Sequence, residues 1–315
     1  MPAVAAHYLF AQEVYRSLIR RGRKDIIALI RKDRSDYNIG SQGPDLLFYY
    51  QPTKPNEVTK YASSVHSQSG TVFMKNAMDR IHETKDLRTF AYMMGFVCHY
   101  ALDSEAHPVI NHYGKDSVGH IRIETELDRM ILLREILKRD AKHRERRYIE
   151  KNQGKKWFSR KKDSNELVVY TPQFYSDKPS VKPEKIRRYR LLRWEEGLEK
   201  SIAGLYPSIS ETQIKKSLDS FVLYNRLMYS PSGANIAVLR KLEGIVKQRG
   251  VFSSLALTRK KFTEHIGHAE EILSIYDRMI EPATDLVINF YDAVRYQIGL
   301  SPRFEVPLDW RFDER

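Results

Sequence analysis

Between Gly95 and Ile110 the chain reads GFVCHYALDSEAHPVI, and three of these residues decide how the rest is read. His99, Asp103 and His107 stand at i, i+4 and i+8. On a helix of 3.6 residues per turn each step of four drifts by only about 40°, so the three project from one face. Two imidazoles and one carboxylate converging there suit a borderline-soft divalent ion, zinc above all. Pro108 disfavours helical backbone at His107. The pattern therefore predicts a helix from Leu87 to Ala106, with His107 where that helix ends.

A short loop further on, GHIRIETE repeats the arithmetic, with His120 and Glu124 four residues apart. Alone, such a pair is ordinarily a surface hydrogen bond or salt bridge, but two adjacent pairs are harder to dismiss than one. Three isolated residues are candidates to complete the shell. His7 lies among apolar residues near the start, His66 in YASSVHSQSG, and Asp45 after Gly43 and Pro44 in DYNIGSQGPDLLFYYQP. Singly they read as a core histidine, a neighbour of a helix start and a turn acid. Seven of the ten histidines lie before residue 138, and that concentration makes the set more informative than any member.

Around this stretch the pattern is helical throughout. One helix is expected from Ala5 to Lys32 with a bend or break at Gly22, another from Ser67 to Ile81, and another from Gly119 to Arg147. The last carries the apolar stripe Ile123, Leu127, Met130, Ile131 and Leu133. Ser210 precedes ETQIKKSLDSFVLYNRLMY, with an acid in the first turn as a helix start favours. Further helices are expected over Gly233 to Lys247, His265 to Ile280 and Pro282 to Gly299, the proline marking a kink or break. LVVY at 167–170 is short enough for a strand fragment or an extended cover. There is no Walker A pattern, no Rossmann glycine fingerprint and no internal repeat, which argues against a nucleotide-binding α/β fold. The reading is one helical domain over 1–315. It has a metal-binding part at 1–137, a basic loop-rich insertion at 148–185 and a carboxy-terminal helical part at 186–315.

With 42% apolar and 11% aromatic residues, the 315-residue chain is not expected to be disordered. No apolar run reaches the roughly 20 residues of a membrane span. MPAVAAHYLFAQEVYRSLIRRGRK reads as an amphipathic helix rather than a secretion signal, and the single cysteine, Cys98, excludes an intramolecular disulfide and a multi-cysteine zinc site. A cytoplasmic location is the simplest expectation. The 53 basic and 40 acidic residues leave a net charge of +13, which favours anionic partners: phosphate esters, acidic lipid headgroups or nucleic acid. Between Lys138 and Lys162 there are 12 basic and 3 acidic residues, read either as a solvated surface or as an anion-binding face bordering the cavity.

At its candidate ligands the sequence resembles the zinc-dependent phospholipase C family, which shares one helical superfamily with the S1/P1-type nucleases. The matching stretches are AAHYLFAQEV, IGSQGPDLLFYY, SSVHSQSGTVFM, GFVCHYALDSEAHP and GHIRIETE, in the family's order and mainly within residues 5–125. The resemblance implies an all-α, multi-helix phospholipase C/P1 nuclease-like bundle. It further implies that His66, His99 and Asp103 surround one zinc ion and that His107, His120 and Glu124 surround another. His7 would serve a third ion toward which Asp103 bridges, and Asp45 would be a metal-associated carboxylate near the attacking water. Two departures bear on the ion count. The chain has no early tryptophan corresponding to the family's metal-binding terminal residue, and its interval from Asp103 to His107 is shorter than in the secreted enzymes. Both favour two Zn2+ ions over three, with other divalent transition metals as alternatives.

The expected function is a zinc-dependent phosphoric ester hydrolase, a phospholipase C-like phosphodiesterase using a metal-activated water that Asp45 orients or deprotonates. Its partner would be an anionic phosphate ester or phospholipid, with peripheral contact to lipid. A single-strand-directed nuclease is less favoured, because Trp157 and Phe158 offer one local stacking surface and no repeated pattern. A noncatalytic, metal-stabilised interaction protein is the third reading.

Overall fold

The computed structural model describes residues 4–52, 54–114, most positions from 119 to 138, 192–228, four positions between 237 and 241, and 269–309. Among them the regular elements are helical, and the β pairing is one isolated bridge between Ser69 and Pro307. The all-α expectation holds. In α1 (Val4–Arg20), Ala6, Phe10, Val14 and Leu18 recur at every fourth position and are fully buried, the stripe that docks the helix on the core. Gly22, with φ +70°, then turns the chain into α2 (Lys24–Lys32) at the expected break.

The centre of the molecule is α6 (Leu87–Tyr113), buried along almost its whole length. It packs against α1, α2 and α3 (Arg34–Gly40), the 3-10 turn Gly43–Tyr49 and α5 (Gly70–Thr84). From the carboxy-terminal part it meets α7 (Leu198–Ala203), α9 (Ala269–Arg278) and α10 (Ile280–Tyr296). Asp86 caps its start by accepting from the backbone N–H of Arg88 at 2.9 Å. Two glycines let α3 and α6 cross with backbones touching. A Cβ on Gly95 would collide with the carbonyl of Tyr37, and one on Gly40 with the carbonyl of Tyr92. That close crossing presses the Gly43–Tyr49 turn against the middle of α6.

The helix does not stop at Ala106. It runs through Pro108 to Tyr113, with His107, Val109 and Ile110 buried. An interior proline costs about 3 kcal/mol, and burying Val109 and Ile110 recovers on the order of 1.5–3 kcal/mol each. Tertiary packing thus overrides the local preference, and His107 stays on the ligand face. The helix expected from Ser67 to Ile81 is α5, which begins three residues later, and an additional helix, α4 (Glu57–Ser67), precedes it across Gln68 and Ser69.

In the carboxy-terminal part, α8 (Glu211–Met228) begins with a reciprocal cap. Ser210 Oγ accepts from Gln213 N at 3.3 Å while Gln213 Oε1 accepts from Ser210 N at 2.8 Å. Met279 separates α9 from α10, with Pro282 in the first turn of the latter. Arg21 and Arg23 tie the end of α1 and the turn after it to Glu281 and Asp292 of α10, each at 2.6 Å. One buried apolar cluster extends from Val4 to Leu308. The basic run after Lys138, the 148–185 insertion, LVVY and most of 233–247 lie outside the described residues. Among the described residues no helix is long and apolar enough to cross a membrane.

Candidate metal centre

Five elements bring the candidate residues together. His7 comes from the first turns of α1, Asp45 from the 3-10 turn and His66 from the last turn of α4. His99, Asp103 and His107 come from α6, while His120 and Glu124 lie at helical positions between 119 and 138. All are buried except His120, which is partly exposed. The loop carrying Asp45 reaches α6 because Gly43 has φ +54° and no Cβ, and any side chain there would enter the ring of His99.

Asp103 is the hub. Its Oδ1 lies 3.1 Å from His7 Nε2, and its Oδ2 lies 3.1 Å from His99 Nε2 and 3.6 Å from His107 Nε2. The other face of His107 Nε2 meets Glu124 Oε1 at 3.7 Å, and Glu124 Oε1 is 3.2 Å from His120 Nε2. Two groups result: His7, Asp45, His99 and Asp103, and His107, His120 and Glu124. In each, one ligand atom per residue falls within 4.8 Å of all the others. His66 joins differently from the grouping that the resemblance implies. Its Nε2 faces Asp45 Oδ1 at 2.9 Å, so it meets the first group through that carboxylate.

The electrostatics follow from burial and from Asp103. Burial opposes the charge of Asp103, but His99, His7 and His107 around it hold its pKa far below the ordinary carboxylate range. His99, buried and flanked by other imidazoles, is pushed down to about 4 despite Asp103. His107 is raised to about 10, because Asp103 and Glu124 outweigh its burial. His66 is raised and Asp45 lowered, each against burial, by their mutual hydrogen bond.

The residues fit a divalent cation on two observations. Four buried imidazole nitrogens, His7 Nδ1, both nitrogens of His99 and His107 Nδ1, have no hydrogen-bond partner among the described residues, an arrangement that costs free energy unless something else occupies the pocket. The hydrogen bonds that do form also leave ligand atoms facing inward. His66 Nδ1 is 2.7 Å from the Ala62 carbonyl, which can only accept, so the ring donates there and its Nε2 is turned toward Asp45 and the site. With imidazole and carboxylate donors, both groups can coordinate a metal ion.

Three further residues shape the site. Asp128 accepts from the backbone N–H groups of Ala5 and Ala6 at 3.1 Å and 2.7 Å, just before His7, and burial raises its pKa to about 7 against those two bonds. Its signal was present in the sequence, since Asp128 continues the four-residue ladder from His120 and Glu124. Asn111 and Asp309 stand behind His120 and His107 with no comparable signal.

Residues 6–177, more than half of the chain, match the family model described as zinc dependent phospholipase C. No curated protein and no solved structure matches the chain.

Proposed function

Since the chain belongs to the zinc dependent phospholipase C family, we propose that it is a zinc-dependent phosphodiesterase of phospholipase C type, holding two ions. One ion is assigned to His7, Asp45, His99 and Asp103, the other to His107, His120 and Glu124. The observation that carries this reading is the position of Asp103. One oxygen faces His7, while the other faces both His99 and His107, so a single carboxylate couples the two groups. Zinc bound there would supply Lewis acidity toward a phosphoryl oxygen and a water whose pKa approaches neutrality.

The chain's own residues do the rest. Asp103, one turn after His99 on a buried helix, fixes the separation of the two groups and keeps its negative charge throughout. Asp45 is anchored through Oδ1 to His66, and its low proton affinity suits it to orienting the attacking water rather than retaining its proton. Tyr92, whose hydroxyl is 3.3 Å from the Gly43 carbonyl and 2.8 Å from that of Tyr206, holds the loop that carries Asp45. The net charge of +13 favours approach of an anionic phosphate ester or phospholipid headgroup.

The test is hydrolysis by zinc-saturated protein of bis(p-nitrophenyl) phosphate, phosphatidylcholine vesicles and single-stranded DNA. Release of diacylglycerol and phosphocholine from the vesicles is the expected result. Cleavage confined to DNA would replace the phospholipase C reading with the nuclease one. Inertness toward all three would favour a noncatalytic metal-binding protein.

A further inference from the structure

The segment after the 3-10 turn Pro302–Glu305 lies against the second ligand group, although it falls outside the stretch that matches the family. Its course is fixed by contacts of its own. Phe304 is buried, and the Tyr100 hydroxyl lies 2.8 Å and 2.6 Å from the carbonyls of Arg303 and Val306. Pro307 forms the bridge to Ser69. The Asp309 N–H then donates to the His66 carbonyl at 3.0 Å, in the last turn of α4, where helix geometry leaves carbonyls without intrahelical partners. Residue 309 is thereby placed before its side chain is considered.

That side chain begins a chain of orientations. Asn111 Nδ2 donates to Asp309 Oδ1 at 2.7 Å, and since a carboxylate has no hydrogen to give, the amide of Asn111 can point only one way. Its Oδ1 consequently faces His120 Nδ1, 3.0 Å distant. An amide oxygen only accepts, so Asn111 draws a hydrogen onto His120 Nδ1, in competition with the Glu124 carboxylate 3.2 Å from Nε2. The same Asp309 oxygen stands 3.6 Å from His107 Nδ1, too far for a hydrogen bond but within reach of a charge.

We infer that Asp309 is a positioning residue for the second ligand group. Through Asn111 it fixes the tautomer of His120, and by its charge it holds His107 with Nε2 toward Asp103 and Glu124. The inference rests on the reading of His107, His120 and Glu124 as ligands of a divalent ion. Partners behind a coordinating imidazole typically change metal affinity about 10–100-fold when removed. Asp309 is itself partly open to solvent, so its removal leaves the core intact.

The experiment uses the full chain, 15N-labelled at histidine and free of ions, with long-range 1H–15N spectra reporting each imidazole tautomer and His120→Gln assigning the signal. Wild type is expected to hold His120 with its hydrogen on Nδ1. Asp309→Ala should shift it toward Nε2–H, while Asp309→Asn, which still offers an oxygen to Asn111, should retain the wild-type tautomer. Zinc titration of the same proteins should show one ion about 10–100-fold weaker in Asp309→Ala, with the other ion and the thermal midpoint of the ion-free chain unchanged. A wild-type tautomer in Asp309→Ala overturns the inference. So does equal weakening of both ions together with a lowered midpoint, which would mark a merely structural contact. Because the tautomer is read without metal, it decides the inference even if wild type binds no zinc and the functional reading fails.

Discussion

His7 and Asp103, from the first and the sixth helix, bring Nε2 and Oδ1 to 3.1 Å inside a pocket from which solvent is almost excluded. Asp103 meets two further imidazoles through its second oxygen, so its charge balances three potential cations. Asp103→Asn keeps the size and removes that charge. It is expected to lower phosphodiesterase kcat/KM by at least about a hundredfold and to reduce the zinc content of the purified protein. Unchanged turnover with full zinc would show that Asp103 does not couple the two groups.

His7→Ala tests the composition of the first group. Asp45, His99 and Asp103 remain, so the ion there should bind at least about tenfold more weakly while the second ion is retained. Metal analysis at saturating zinc should give two ions in wild type. Three ions in wild type and two in the variant would mean that His7 serves a separate ion, contrary to the two-group assignment.

Gly95 lets the backbones of α3 and α6 touch, because a Cβ there would meet the Tyr37 carbonyl and the Ser41 nitrogen. Gly95→Ala should force the helices apart and destabilise the ion-free chain by about 1–3 kcal/mol, the usual range for overpacking. A shift in the urea midpoint at unchanged m-value would report it. A midpoint equal to wild type would show that α3 moves aside without cost.

How much of this was legible in the sequence depended on whether a signal was local. The ladder of His99, Asp103 and His107 was readable because helical period alone places the three on one face. The break at Gly22 was readable because a positive φ is the province of glycine. α4 was not anticipated, because its buried residues Val58, Ala62, Val65 and His66 form a stripe in which only the two valines are strongly apolar. The end of α6 was misplaced because Pro108 acts locally, while the burial that overrides it comes from elements distant in the chain. Asp309 was invisible for the same reason, since its place beside His107 and Asn111 exists only after the carboxy-terminal segment has docked.

Asp86 gives the fold a defined response to acid. Burial opposes ionisation of its carboxylate, but hydrogen bonds from Ser201, Thr89 and the Arg88 N–H together lower its pKa. A lowered folded-state pKa means that the unfolded chain binds more protons, so this contribution is present above the ordinary aspartate value of about 3.9 and is lost as pH falls through the folded value. Asp86→Asn, which keeps a capping oxygen but cannot titrate, should flatten the acid limb of stability against pH. Asp86→Ala should cost about 1 kcal/mol at neutral pH. Urea unfolding of ion-free protein at a series of pH values checks both, and an acid limb identical in wild type and Asp86→Asn would remove Asp86 from the effect.

Hydrolysis is expected to depend on divalent ions held by the two groups around Asp103. The most direct test is the turnover of bis(p-nitrophenyl) phosphate by wild-type protein stripped with a chelator, dialysed and titrated with zinc, with bound metal counted at each point. The expected result is loss of nearly all activity on stripping and its return in step with occupancy, complete at two ions per chain. Full turnover by the stripped protein, with no metal detected, would mean that hydrolysis needs no bound ion.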